Sequence, residues 1–231
     1  MDCFKRALIR VISACFVLLL TNSSFAAETI YINGDKDSYV VGPYLQYFED
    51  VDGSVIFENI RTGNIAAEWQ PSTAEVPNFG FTSSTYWFVF ELQDRRDLRK
   101  RQDSGGWIVE ISYPLLDSVD VYFTRGSSNS LVSHHHLGDQ LEFKDRVIEH
   151  RNFLLPIQLP LREIMRVYIR LESTSAVQLP VKLWEERSFF EEDQFIILFN
   201  GLFYGLMLLI AIYNLFAFLG EREASYLYYV F

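Results

Sequence analysis

Residues Phe195 to Leu219 carry no charged side chain. At 1.5 Å per residue a helix of that length reaches about 37 Å, enough to cross the hydrocarbon of a bilayer. Buried helices of soluble domains are seldom so long or so apolar all round. The run therefore predicts a transmembrane helix over 195–219. Its polar exceptions, Asn200 and Asn214, are costly in lipid unless they face another helix or a polar cavity. Gly201 and Gly205 stand at the spacing that lets a second helix approach closely, although glycine is common in membrane helices in any case. A polar turn, Gly220-Glu221-Arg222-Glu223, then leads into a second apolar run over 224–231, too short to span. It reads as the truncated start of a second transmembrane helix, so the chain is expected to be a fragment of a longer polytopic protein or a truncated product.

The amino terminus has the layout of a signal peptide over 1–26. Lys5, Arg6 and Arg10 precede the short apolar run Val11–Leu20, and Ser24-Phe25-Ala26 places small residues for cleavage after Ala26. An uncleaved anchor, or lipidation at Cys15, are the weaker alternatives. Both cysteines, Cys3 and Cys15, fall in this leader, so the mature chain is expected to have no disulfide and no thiol chemistry. Removing the leader takes three basic side chains from 20 and one acidic from 30, leaving 17 against 29 and a charge of −12. So acidic a surface repels polyanions, which excludes a nucleic-acid partner.

Between the leader and the helix, 28–187 reads as strands and turns. TYWFVFEL (85–92) is dense in aromatic and β-branched residues. In WIVEISY (107–113), Trp107, Val109, Ile111 and Tyr113 share one face. Val119, Val121 and Phe123 alternate with Asp120, Tyr122 and Thr124; Val167, Ile169 and Leu171 alternate with Arg166, Tyr168, Arg170 and Glu172. Residues 178–184 close the series. Asp52-Gly53, Gly105-Gly106, Gly126-Ser127 and Pro160 mark turns. No long amphipathic helix separates these strands, so a parallel βαβ sheet is not expected. The pattern predicts an all-β fold, an antiparallel jelly-roll β-sandwich. The polar segments 185–188 and 191–193 read as a tether of about ten residues, with Phe189-Phe190 at the membrane interface.

No hydrolase, nucleotide-binding or metalloprotease motif is present. Glu110 with Asp117 or Asp120 is a weak candidate for a glycosidase pair, a solvated sheet face being the ordinary alternative. His134-His135-His136 reads as a solvated loop rather than a metal site, because adjacent side chains on a strand point to opposite faces. Asp50-Val51-Asp52-Gly53 opens like a calcium loop without its later ligands and reads as a hairpin turn. No metal and no cofactor are expected. The outward row Arg166, Tyr168 and Arg170 combines planar donors with a flat apolar ring, which suits a sugar or an acidic small molecule; a mixed strand surface is the plainer alternative. Arg146, His150, Arg151 and Asn152 form a second polar cluster that either caps a sheet edge or lines a pocket.

FEDVDGSVIFENI, NFGFTSSTYWFVFEL, WIVEISYPLLDSVDVYF, GDQLEFKDR, HRNFLLPIQLP and VYIRLESTSAVQLPVKLW occur in this order over about residues 40–185. They resemble the type-2 extracellular domain of bacterial seven-transmembrane receptors with diverse intracellular signalling modules. NGLFYGLMLLIAIYNLFAFLGEREASYLYYVF resembles the start of that family's membrane region. The resemblance implies a jelly-roll sensory domain similar to carbohydrate-binding modules, held in the periplasm by the inner membrane. It also implies seven helices and an output module such as a diguanylate cyclase, kinase or phosphatase; this chain has about six fewer helices and no output. The pattern matches Arg146, Arg151, Asn152, Trp87 and Tyr113. With Arg166, Tyr168 and Arg170 these are the candidate ligand-binding residues. The expected role is a non-catalytic sensor of a small molecule, such as a carbohydrate, coupled to membrane helices; a protein-interaction or homodimerisation module is the alternative.

Overall fold

The computed structural model describes residues 28–63, 68–97, 105–126, 128–223, 225 and 228. The predicted leader, and all of 224–231 but 225 and 228, lie outside the described residues. The strands are β1 (Thr29–Ile32), β2 (Ser38–Val40), β3 (Gln46–Asp50), β4 (Gln70–Pro71), β5 (Asn78–Gly80), β6 (Thr85–Asp94), β7 (Trp107–Ile111), β8 (Ser118–Arg125), β9 (Ser130–Leu137), β10 (Phe153–Ile157), β11 (Ile164–Glu172), β12 (Val177–Gln178) and β13 (Val181–Glu185). A short helix α1 (Phe57–Arg61) follows β3, and a 36-residue helix α2 (Glu186–Glu221) follows β13.

The large sheet runs β4-β3-β6-β11-β8-β9, and the small one β10-β7-β13-β2; β5 and β12 pair separately. The alternations predicted for β7, β8 and β11 hold. Phe88, Phe90, Val121, Phe123, Val167 and Ile169 of the large sheet share one buried cluster with Val109, Ile111, Leu155, Val181 and Leu183 of the small sheet. Burial of these faces is the main stabilisation, at about 25 cal/mol per Å² of apolar surface.

Among the described strands, pairing is antiparallel except between β1 and β6. β3 pairs with only the first half of β6, from Thr85 to Val89, and β1 runs parallel to the rest, from Glu91 to Asp94. β1 thereby satisfies backbone groups that β3 leaves open, a requirement no strand's own alternation shows.

The outer face of the large sheet is also covered. Asp50 accepts from the Val55 N–H at 3.0 Å and Asp52 from the Ser54 N–H at 3.1 Å, so this segment is a turn. It leads not into a hairpin but into α1, which lays Phe57 on Trp87, Val89 and Tyr168 in a second apolar cluster. Phe57 stacks on Tyr122 at 4.0 Å, and Tyr122 on His134 at 4.3 Å.

The triple histidine is a correction. It lies in strand β9, not in a loop. His134 and His136 share a face and bond the same oxygen of Asp120, each at 2.9 Å, while His135 turns to Phe123. Pairing with β8 supplies the long-range partner that a run of polar residues cannot announce locally.

Candidate functional site

No flexible tether joins the β domain to α2. β13 ends at Glu185 and the helix starts at Glu186. Helix and sheet are fastened at once: the Glu186 N–H donates to the Gly106 carbonyl at 3.0 Å, and the Gly106 N–H to Glu186 Oε2 at 3.1 Å. The expected tether is instead the first two turns of α2, because residues 186–193 find partners on the outer face of the small sheet.

Phe189 is buried there with Ile108 and Leu154, against Ile148 and Trp184. One turn on, Asp193 is only 8% exposed. It accepts from His150 Nε2 at 3.2 Å and from the Arg151 guanidinium. The Asn152 N–H donates to His150 Nδ1 at 3.1 Å, which places the imidazole proton on Nε2, facing the carboxylate. Glu110, buried in the middle of β7, accepts from Asn152 Nδ2 at 2.6 Å and Trp184 Nε1 at 2.7 Å. Arg146 closes the turn by donating to the carbonyls of His150 and Arg151 at 2.6 and 3.1 Å. The second polar cluster therefore clasps the helix.

The outward row is equally committed. Arg166 donates to Glu91 and Asn129, each at 2.6 Å. Tyr168 is 6% exposed beneath Phe57, and burial pushes its hydroxyl pKa up. Trp87 is fully buried in the same cluster. Tyr113 is half-buried against the main core. Arg170 donates to Glu172 at 3.1 Å and lies 3.9 Å from Asp120. As they stand, Trp87 and Tyr168 present no ring face to a ligand. Glu110 and Asp120 lie on the outer faces of different sheets, with the main core between them, so they form no glycosidase pair.

Elsewhere the loops between strands enclose an open cleft of about 740 Å³, lined by Phe81, Thr82, Ser83, Asp117, Ser118, Gln140, Glu172, Ser173 and Thr174. Gly138 lets it form: a Cβ there would sit 2.1 Å from the Asp117 carbonyl oxygen. Asp117 Oδ2 accepts from the backbone N–H and the hydroxyl of Thr174, both at 2.6 Å, which hold its carboxyl below the ordinary range. Phe81 is 83% exposed at the rim. Glu172 is the cleft's link to the outward row, through Arg170. Sequence reading passed over this cleft, because its residues come from four separate loops. The one local signal was Phe81 beside the hydroxyls of Thr82, Ser83 and Ser84.

Among the described residues no group of three or more metal-binding side chains converges. Helix α2 is long and apolar enough to cross a membrane. Asn214, costly in lipid, donates to the Ile210 carbonyl one turn back at 2.9 Å.

The β domain is thus clasped to the start of a helix with the length and composition of a membrane span. The family described as 7TMR-DISM extracellular 2 matches residues 42–185, and the chain belongs to it. This makes the β domain the extracellular domain of a seven-transmembrane receptor family, with a helix long and apolar enough to cross a membrane directly after it. No curated protein matches the chain. Among solved structures, the insecticidal δ-endotoxin Cry8Ea1 of Bacillus thuringiensis is similar at 12% identity and a TM-score of 0.30; 69% of this chain aligns with 25% of that one. CsCBM6-3 of Clostridium stercorarium, in complex with cellobiose, is similar at 10% identity and a TM-score of 0.24, over 48% of this chain and 81% of that one. The chain thus spans about a quarter of the endotoxin's length.

Proposed function

We propose that this region is the sensory end of a bacterial inner-membrane receptor. The β domain lies in the periplasm, binds a carbohydrate or related small molecule without chemical turnover, and biases the membrane helices that follow. One observation carries the coupling: β13 becomes α2 without a linker, and Asp193 of the helix is held by His150 and Arg151 of the domain. A shift in the sheet is then a shift of the helix. The small-molecule part rests on the cleft, where hydroxyls, an amide and carboxylates surround the exposed ring of Phe81, the mixture that sugar recognition uses. Arg170 would reach such a ligand through Glu172. The chain crosses between the two sheets from β6 to β7, β7 to β8, β9 to β10 and β10 to β11, which supports a jelly-roll connectivity.

Thermal unfolding of the detergent-solubilised chain against a panel of sugars tests the reading. A ligand at 100 times its Kd adds about 2.7 kcal/mol, and a Phe81→Ala variant should lose that gain. Stabilisation that survives in Phe81→Ala would move the site elsewhere.

A second reading has one observation of its own. β9 is an edge strand with Leu131 and Val132 exposed, which suits pairing with another copy. Crosslinking through Val132→Cys would trap dimers on that reading and monomers on the first.

A further inference from the structure

The cleft's chemistry is lopsided. Among the described residues its ionisable lining side chains are Asp117 and Glu172, both acidic, and no Lys, Arg or His lines it. Of the Asp117 carboxylate, Oδ2 is taken by Thr174, and Oδ1 accepts no hydrogen bond from a described residue. Glu172 Oε2 accepts from Arg170, and Oε1 is likewise uncommitted. Between them sits Ser173, buried, whose hydroxyl oxygen accepts from the N–H groups of Asp117 at 3.4 Å and Ser175 at 3.1 Å. Both of its lone pairs are used, so its O–H is left to donate, and it has no acceptor among the described residues. The cleft therefore offers two carboxylate acceptors, a buried hydroxyl donor, the Gln140 amide, and an apolar ring at the rim.

The geometry points to a sugar that carries a protonated amine. This deepens the sensor reading above and rests on it. A neutral sugar uses the hydroxyl, the amide and the ring but leaves the charge unmatched. An acidic sugar brings a third carboxylate to two others, with no cation lining the cleft to receive it; Arg170 is already held by Glu172 and lies near Asp120. An ammonium group between Asp117 and Glu172 gains charge-assisted hydrogen bonds from both. The acidity of the whole domain adds a field of the same sign.

Calorimetry on the full detergent-solubilised chain should compare D-glucosamine, D-glucose and D-glucuronate at about pH 6, where a sugar amine is protonated. Glucosamine is expected to bind about tenfold tighter than glucose, the worth of one charge-assisted bond, with glucuronate weakest. Glu172→Gln should remove most of that preference, so that glucosamine and glucose bind with similar affinity. Asp117→Asn should do the same, provided circular dichroism shows the fold intact, and Glu172→Gln decides alone if it does not. Equal binding of the three sugars, or an amine preference that survives in Glu172→Gln, overturns the inference and leaves the sensor reading in place. Binding of none of them overturns both.

Discussion

At the scale of single residues, the consequential positions are polar groups that an alternating strand pattern treats as surface. Glu110 was legible as the outward residue of a strand, yet it is buried, because α2 covers that face and Asn152 and Trp184 satisfy it. Asp193 was legible only as one acid in a polar stretch. Replacing it with Ala leaves Arg151 and His150 without their acceptor. The expected cost is about 2 kcal/mol, moderated by the half-exposed Arg151, read as a lower midpoint in thermal unfolding; an unchanged midpoint would mean the clasp does not hold the helix. Gly138→Ala places a methyl against a backbone oxygen that cannot step aside. It should cost about 3 kcal/mol and weaken sugar binding as the cleft wall shifts, both measurable on one purified variant. Tyr86 makes a pH prediction. Burial, then its hydrogen bond to Glu49, raise its hydroxyl pKa from 10.0 to about 12. The neutral form is favoured in the fold, so its contribution is complete below pH 10.0 and is lost as pH rises through about 12. Tyr86→Phe should remove that part of the alkaline loss in unfolding free energy; an identical alkaline limb in the variant would contradict the assignment.

At the scale of elements, the junction of β13 and α2 is where the proposed coupling rests. The strand's last residue and the helix's first are neighbours, and Gly106, just before β7, holds the turn. On the proposed reading, stiffness here lets a small change in the sheet reach the helix. Two glycines inserted between Glu185 and Glu186 give the chain freedom at that point and break the register of Phe189 and Asp193 with their partners. The domain should keep its fold and its ligand affinity, while spin labels on β7 and on residue 197 show a broader distance distribution than in the parent chain. A distribution as narrow as the parent's would show that the clasp alone fixes the helix. Helix α1 acts differently. It closes the outer face of the large sheet with Phe57, and so withdraws Trp87 and Tyr168 from any ligand.

At the scale of the whole molecule, the chain after the predicted leader carries a formal charge of −12, and its β domain runs without a break into a helix whose stretch 195–219 is uncharged. Leu208→Lys, near the middle of the apolar stretch, should cost about 3 kcal/mol of insertion free energy. That predicts a larger carbonate-extractable fraction in membrane preparations, and an unchanged fraction would argue against a spanning helix. The strand faces and the apolar helix were legible along the chain, because each rests on local repetition: alternation at a period of two, or a run without charge; the family was legible through the resemblance of its ordered segments. What the tertiary structure alone decided are the pairings between distant residues. β1 completes β6, α1 seals the outer face, His150 and Arg151 take Asp193, and four loops meet around the cleft. Each depends on which buried donor or apolar face is left unsatisfied after the sheets assemble, a quantity that exists only in three dimensions. The uncharged helix was evident from composition alone; that it is gripped by the domain before it meets the membrane was not.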